Sequence, residues 1–284
     1  MSMPMQVVKQ LEGLEGLDPL IKQLQHVVSR LVKPRIVRNT LSGTTLGHAL
    51  HPMLTDLPIG AWTAAGLLDL VGGKRSTHAA DLLVGAGIAA AVPTAAAGAN
   101  DWSDTYGDEA RVGLVHAALN STALLLYGAS LAARASRHRT LGRLLGWSGL
   151  AAVVASGYLG GHLTFAQGVN VNHTAFEERP TDWTPATSSA ELGEGATIAA
   201  TAGSATVFLH RHDGRIYALA NTCSHLGGPL NEGTVHDGCI TCPWHGSTFR
   251  LDTGKVVRGP ARTAQPTYDV REAAGQMEVR AAQP

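Results

Sequence analysis

Four apolar stretches, residues 57–71, 79–98, 112–133 and 144–165, follow one another with only short polar connections between them. In lipid a chain must satisfy its own backbone hydrogen bonds, and a helix of about 20 apolar residues does so across the hydrocarbon core. The last three stretches reach or approach that length, and the first extends back through Pro58. The pattern predicts an all-α transmembrane four-helix bundle over residues 46–169. Asp69 and Asp81 are the costly exceptions and must face the bundle or the interface. A soluble, alanine-rich bundle is the competing reading. Gly157 and Gly161, four apart, let another helix or a flat cofactor come close.

Ahead of the bundle, Val7, Leu11, Leu14, Leu17, Ile21, Leu24, Val28 and Leu31 recur at steps of three and four, an amphipathic helical pattern. Asp18-Pro19 can cap and restart the helix, and Pro34 stops it. Lys9, Lys22, Arg30 and Lys33 lie on or beside the polar side. Residues 1–45 therefore read as an amphipathic N-terminal segment: a membrane-surface helix, a dimerisation seam that makes the protein an oligomer, or a helix packed on its own bundle. Charges run throughout this segment, so no signal peptide is expected. Net charge is +0, from 22 basic and 22 acidic residues, which removes any electrostatic case for nucleic acid.

Residues 170–190 contain Pro180, Pro185, Ser188 and Ser189 without an apolar period, and are expected to form a linker. Beyond them the pattern becomes one of alternation. Runs at 206–210 and 215–219 flank His212-Asp213-Gly214, a hairpin signal, and Asp237-Gly238 marks a second turn. Further strands are expected at 248–251, 255–257, 267–271 and 276–280. Short strands with glycine turns predict an all-β domain over residues 191–284. His210, His212 and His236 read as solvent-facing.

Within this domain stand Cys223-x-His225 and Cys242-x-x-His245, separated by residues 226–241. Two thiolates and two imidazoles can close a tetrahedral zinc shell. A zinc finger, however, groups Cys with Cys and His with His, whereas each loop here carries one of each. The alternation suits a [2Fe–2S] cluster in which one iron takes both cysteines and the other both histidines. With Gly-Pro-Leu after the first half and Gly-Ser after the second, residues 191–280 resemble the Rieske family. The resemblance implies Cys223, His225, Cys242 and His245 as ligands, exposed His225 and His245 as the electron exit edge, and Ser247 as a hydrogen-bonding neighbour. High-potential members carry a Ser and a Tyr hydroxyl after the second histidine, where this chain has Ser247 and Phe249. Their inter-loop disulfide falls at Gly228 and Trp244, and Cys239 has no partner left. A ferredoxin-type module, with a potential below the respiratory extreme, is what the resemblance implies.

Alternating spans place His48 and His51, before the first helix, on the same side as His116 in the third and His162 in the fourth. His116 and His162, at matched depth, could be axial ligands to haem b or bind a quinone, with His51 beside them and Asp56 and Asp101 as orienting acceptors. Taken singly, each reads as a helix-end residue bonded to a neighbouring helix. The motif His51-Pro-Met-Leu-Thr-Asp-Leu-Pro-Ile-Gly60, with Asn100-Asp-Trp102 and Gly160-Gly-His162, resembles an uncharacterised bacterial four-helix membrane family sometimes fused to Rieske domains. That family supplies no chemistry.

The expected function is that of a membrane-anchored Rieske iron–sulfur protein carrying single electrons to a redox partner protein or the quinone pool. An electron carrier or redox subunit is expected in preference to a stand-alone oxidoreductase. A quinol-oxidising protein with haem b or quinone at the histidine face is a second reading. A Rieske oxygenase-type component is a third, although its mononuclear iron needs two His and a carboxylate, and no such set follows His245. The expected location is the cell membrane, with several passes. Basic residues in the first and third connections place the termini outside. The basic N-terminal segment answers them, and without a twin-arginine signal the cluster domain is placed on the cytoplasmic face.

Overall fold

The computed structural model describes residues 3–282. Helices run α1 (Met3–Glu12), α2 (Asp18–Leu31), α3 (Arg35–Ser42), α4 (Leu50–Val71), α5 (Thr77–Trp102), α6 (Gly107–Ala135) and α7 (Arg139–Phe165). Ten strands follow: β1 (Thr184–Ser188), β2 (Thr197–Ala202), β3 (Ala205–His212), β4 (Arg215–Ala220), β5 (Thr234–His236), β6 (Cys239–Thr241), β7 (Thr248–Arg250), β8 (Val256–Arg258), β9 (Tyr268–Ala273) and β10 (Gln276–Ala281). The chain divides into two compact units. One joins residues 3–34 to 49–169, and the other joins Arg35–His48 to residues 170–282.

In the helical unit, α5 with the turn before it (Lys74–Trp102), α6 and α7 are long and apolar enough to cross a membrane. The first expected span does extend through Pro58, as α4, but it is not among those three. The amphipathic segment packs on its own bundle: Val8 is buried with Val112 and Leu159, and Arg111 forms a two-pronged ion pair with Asp18 at 2.8 and 2.9 Å. Asp69 and Asp81 are both neutralised. Arg134 bonds both, Arg139 holds Asp81 at 2.9 Å, and Arg143 reaches Asp69 at 3.4 Å.

The hairpin α4–α5 and the hairpin α6–α7 repeat one pattern. His51, Trp62 and Asp69 stand at the same spacing along α4 as His116, Tyr127 and Arg134 along α6, a spacing that keeps each trio on one helix face. The two trios meet layer by layer. The imidazoles sit edge to face at 6.3 Å, the aromatic rings stack at 4.1 Å, and the opposite charges pair. Gly87, Thr94 and Gly98 on α5 match Gly149, Ser156 and Gly160 on α7. A Cβ at Gly87 would strike Trp62, and one at Gly149 would come within 2.9 Å of Tyr127. Glycine is required there because the ring of the preceding helix fills the notch.

The β unit holds three antiparallel sheets, ordered β1-β10-β9, β2-β3-β4 and β5-β6-β7-β8. Strand β3 is buried on both faces, with Val207 and Leu209 in one core and Phe208 in the other. The expected hairpin and the second turn are both present, with Asp213, Gly214, Asp237 and Gly238 in the left-handed region. Two expectations need correction. Residues 170–190 are not simply a linker: β1 pairs with β10, and the Trp183 ring lies between Arg271 and Arg280 at 4.4 and 4.5 Å. Nor does residue 45 bound an N-terminal segment, because Arg35–His48 belongs with the β unit. Asn39 explains this, accepting a hydrogen bond from Gly259 N (2.8 Å) and donating one to Val257 O.

Candidate functional site

Two loops of the β unit are built alike. In the first, Cys223 N donates to Gly228 O (2.8 Å) and Gly227 N donates back to Cys223 O (2.9 Å). In the second, Cys242 N donates to Ser247 O (2.8 Å) and Gly246 N to Cys242 O (3.2 Å). Gly227 and Gly246 sit at φ 77° and 73°, a conformation that costs a side-chain-bearing residue dearly. Each turn aims two amides at its own sulfur: those of His225 and Leu226 at Cys223, and those of Trp244 and His245 at Cys242. Amide hydrogen bonds of this kind stabilise thiolate and tune any metal it holds.

The two sulfurs lie in hydrogen-bond contact. That contact, together with burial, pushes the Cys223 thiol up, while the same bond draws Cys242 down to about 7. The imidazoles of His225 and His245 stand edge to face, centroids 5.0 Å apart. Burial, and then the charges of His245, Arg262 and Arg38, hold His225 well below the ordinary imidazole value. A neutral imidazole is the form that binds a metal.

Among the described residues, three or more ligating atoms come within 4.8 Å of one another only at exposed Glu194, His212 and Asp213. The sulfur pair and the imidazole pair lie outside that group, and one Cys and one His per loop is not the grouping of a zinc finger. Two thiols in contact and two imidazoles in contact, held apart on neighbouring loops, are a donor set for a two-iron centre.

A third loop buttresses both. Ala261 N donates to Ser247 Oγ (3.0 Å), Ser224 Oγ donates to Thr263 O (2.9 Å), and Gln265 Oε1 accepts from Ser224 N (3.1 Å). Ser247 is fully buried, and its hydroxyl, accepting from Ala261, keeps its own proton to donate. The place that the resemblance assigns to a disulfide is filled otherwise: a Cβ on Gly228 would come 2.8 Å from Cys242 Sγ and 3.0 Å from the Trp244 ring. An indole thus packs on a glycine where the bridge would run.

Several expected site residues need revision. His225 is buried, 5% exposed, because Ala261, Arg262 and Thr263 line its surroundings together with Asn170 and Asn172. The open edge is formed by half-buried His245 and exposed Trp244. His210 is also buried, its ring within 2.8 Å of Thr197 Oγ1, whereas His212 and His236 are exposed as expected. Of the bundle histidines, the structure brings His51 and His116 together, ring centroids 6.3 Å apart. His51 Nδ1 faces Thr94 O at 2.9 Å, His116 Nδ1 faces Ser156 O at 2.8 Å, and Asn120 Nδ2 sits 3.1 Å from His116 Nε2. His162 Nε2 turns to Glu12 Oε1 at 3.2 Å. Both nitrogens of His116 are engaged within the bundle. Sequence reasoning missed the third loop, whose Gln265 is buried and threads between Ala220 O and Thr222 O; a lone glutamine carries no spacing signal.

Residues 182–269 match the Rieske [2Fe-2S] domain family, and residues 47–173 match the predicted membrane protein family DUF2231. The chain is 32% identical over 98 residues to the anthranilate 1,2-dioxygenase ferredoxin subunit of Burkholderia cepacia, a match covering 34% of this chain and 91% of that subunit. It is 29% identical over 89 residues to the ferredoxin component of the naphthalene 1,2-dioxygenase system of Pseudomonas putida, covering 31% of this chain and 86% of that component. Among solved structures, the ferredoxin of carbazole 1,9a-dioxygenase from Nocardioides aromaticivorans IC177 is similar at 25% identity and a TM-score of 0.34, covering 36% of this chain and 100% of that one.

Proposed function

Because the chain belongs to the Rieske [2Fe–2S] family through its C-terminal domain, preceded by a DUF2231 domain, we propose that it is a membrane-anchored electron carrier serving a redox partner protein. Cys223 and Cys242 would hold one iron, and His225 and His245 the other. A bound [2Fe–2S] cluster supplies one-electron chemistry at a potential that neutral imidazole ligands raise above that of all-thiolate clusters. The residues around it bind, shield and tune. Four amides steady the sulfurs, Ser247 would donate its hydroxyl proton to a cluster sulfur, and the third loop packs beside His225. The supporting observation is the pairing of sulfur with sulfur and imidazole with imidazole on two turns of one design. Ferredoxin relatives are named for dioxygenase systems, so an oxygenase-type acceptor meeting the His245–Trp244 edge is the partner class this reading favours.

Anchoring draws support from parity. Residues 35–48 precede α4 and residues from Asn170 follow α7, yet both belong to one β unit. Two flanks packed together lie on one side of a membrane, which requires an even number of crossings. Three apolar helices alone are odd, so this reading takes α4 as the fourth crossing. The cytoplasmic face remains the proposed side, where a cluster is assembled without export.

Iron, sulfide and haem quantification on detergent-purified protein, with EPR of the reduced state, tests the reading. The expected result is two irons and two sulfides per chain without haem, and a rhombic signal whose average g lies below the free-electron value. His245→Cys is expected to keep some iron and lose that signal. An unchanged signal removes His245 from the ligand set, and stoichiometric haem replaces the carrier by the quinol-oxidising protein.

A further inference from the structure

The segment Arg35–His48 precedes the bundle in sequence, yet it is strapped onto the third loop of the β unit. Asn39 accepts from Gly259 N at 2.8 Å and donates to Val257 O; Thr44 Oγ1 donates to Ala261 O at 2.9 Å; Arg262 Nε donates to Ser42 O. Asn39 and Ser42 are buried, at 9% and 0% exposure. A Cβ on Gly259 would collide with Thr44 Oγ1. From the other flank, Asn170 Oδ1 accepts from Arg262 Nη1 at 3.1 Å. The loop so gripped bonds Ser247 and Ser224 and lines, through Ala261, Arg262 and Thr263, the small polar space beside His225.

We propose that Arg35–His48 is a positioning strap for the cluster: through Asn39 and Thr44 it fixes the Gly259–Thr263 loop, and thereby seats the Arg262 guanidinium beside His225, where its charge favours the reduced state. The inference rests on the ligand assignment above. It follows from elementary electrostatics. Reduction adds one negative charge to the centre, and a cation fixed nearby in a partly desolvated site stabilises that charge, whereas a cation on a loose loop is screened by water. A backbone loop tied by hydrogen bonds on both sides cannot relax away without leaving buried donors and acceptors unsatisfied. Asn39 and Thr44 touch no ligand, so they act through the loop and Arg262.

The test is a double-mutant cycle on the full-length protein, read as midpoint potential by EPR-monitored titration. Arg262→Gln and Asn39→Ala are each expected to shift the oxidised-to-reduced ratio at fixed poise about tenfold toward oxidised, or about 59 mV for one electron. In the Arg262→Gln background, Asn39→Ala is expected to add almost nothing, because the strap acts through that arginine. Thr44→Val should follow Asn39→Ala in direction, while Thr44→Ser, which keeps the hydroxyl, restores the wild-type potential. Unchanged potentials in both strap variants, or effects that sum in the double variant, overturn the proposal. Iron and sulfide content and the rhombic signal are measured alongside. If wild-type protein lacks them, the ligand assignment has failed; if they persist while the potential stays fixed, only the strap has.

Discussion

Two histidine pairs stand edge to face in this molecule, and they are opposite in kind. In the bundle, His51 and His116 lie 6.3 Å apart, each with Nδ1 against a carbonyl of the facing helix and each packed on a glycine. In the β unit, His225 and His245 lie 5.0 Å apart on loops that carry a cysteine each and aim amides at its sulfur. Similar ring geometry thus serves two ends. The bundle pair closes hydrogen bonds between helices, and the loop pair is the one proposed to complete a donor set. What separates them is the company of each ring, which consists of helix backbone in one case and thiols on glycine turns in the other.

The comparison breaks most sharply by removing a ligand. Cys223→Ser is expected to abolish iron and sulfide binding, whereas His51→Ala keeps both at the wild-type level; iron loss in the His51 variant would make the bundle pair a cofactor site after all. Next in size is Arg134→Ala, which takes from buried Asp69 its closest partner and leaves it only the longer contacts to Arg143 and Arg139, while Asp81 keeps Arg139. Breaking a buried pair on one side costs about 3–5 kcal/mol, so the thermal midpoint in detergent should fall steeply while the EPR signal of the cluster keeps its shape. A smaller effect tests the repeat. Exchanging the stacked rings, Trp62→Tyr with Tyr127→Trp, should cost less than about 1.5 kcal/mol, as a volume-conserving swap does. A loss as large as that of Trp62→Ala, about 3–5 kcal/mol, would show that the two glycine notches are not equivalent.

The smallest effect concerns pH. Burial holds His210 below the ordinary imidazole value of 6.5, so it sits neutral in the fold. Its contribution is complete above that value and is lost as pH falls below it and through the lowered one, because the unfolded chain then binds the proton more readily. The stability of the β unit should therefore begin to fall below pH 6.5, and His210→Gln should flatten that dependence. An identical pH profile in the variant would place the acid sensitivity elsewhere.

Legibility followed the same division. The residues proposed as cluster ligands stood out because metal chemistry fixes residue type and spacing within a short window, and each Cys–His pair lies on one turn. The long helices were readable because lipid demands continuous apolar length. The role of the bundle histidines was not, since a ring nitrogen bonded to a carbonyl and one bonded to iron leave the same letter in the sequence. Asn39 was equally silent: its partners at Val257 and Gly259 lie beyond the whole bundle in sequence, and a single asparagine has no period. His210 was misread for a related reason. It follows Phe208 and Leu209 on a strand buried on both faces, where alternation no longer reports exposure.

The strap also has a consequence for biogenesis. The ribosome delivers residues 35–48 before the hydrophobic hairpins, and the remainder of the redox unit only after them. At roughly 5–20 residues per second, the stretch between takes on the order of ten seconds to translate. During that interval the first piece must wait, without its partners at Val257 and Gly259, while the hairpins are made. Every cysteine and histidine proposed to hold the centre is delivered later still, so a chain stalled inside the bundle would carry the strap but none of those side chains.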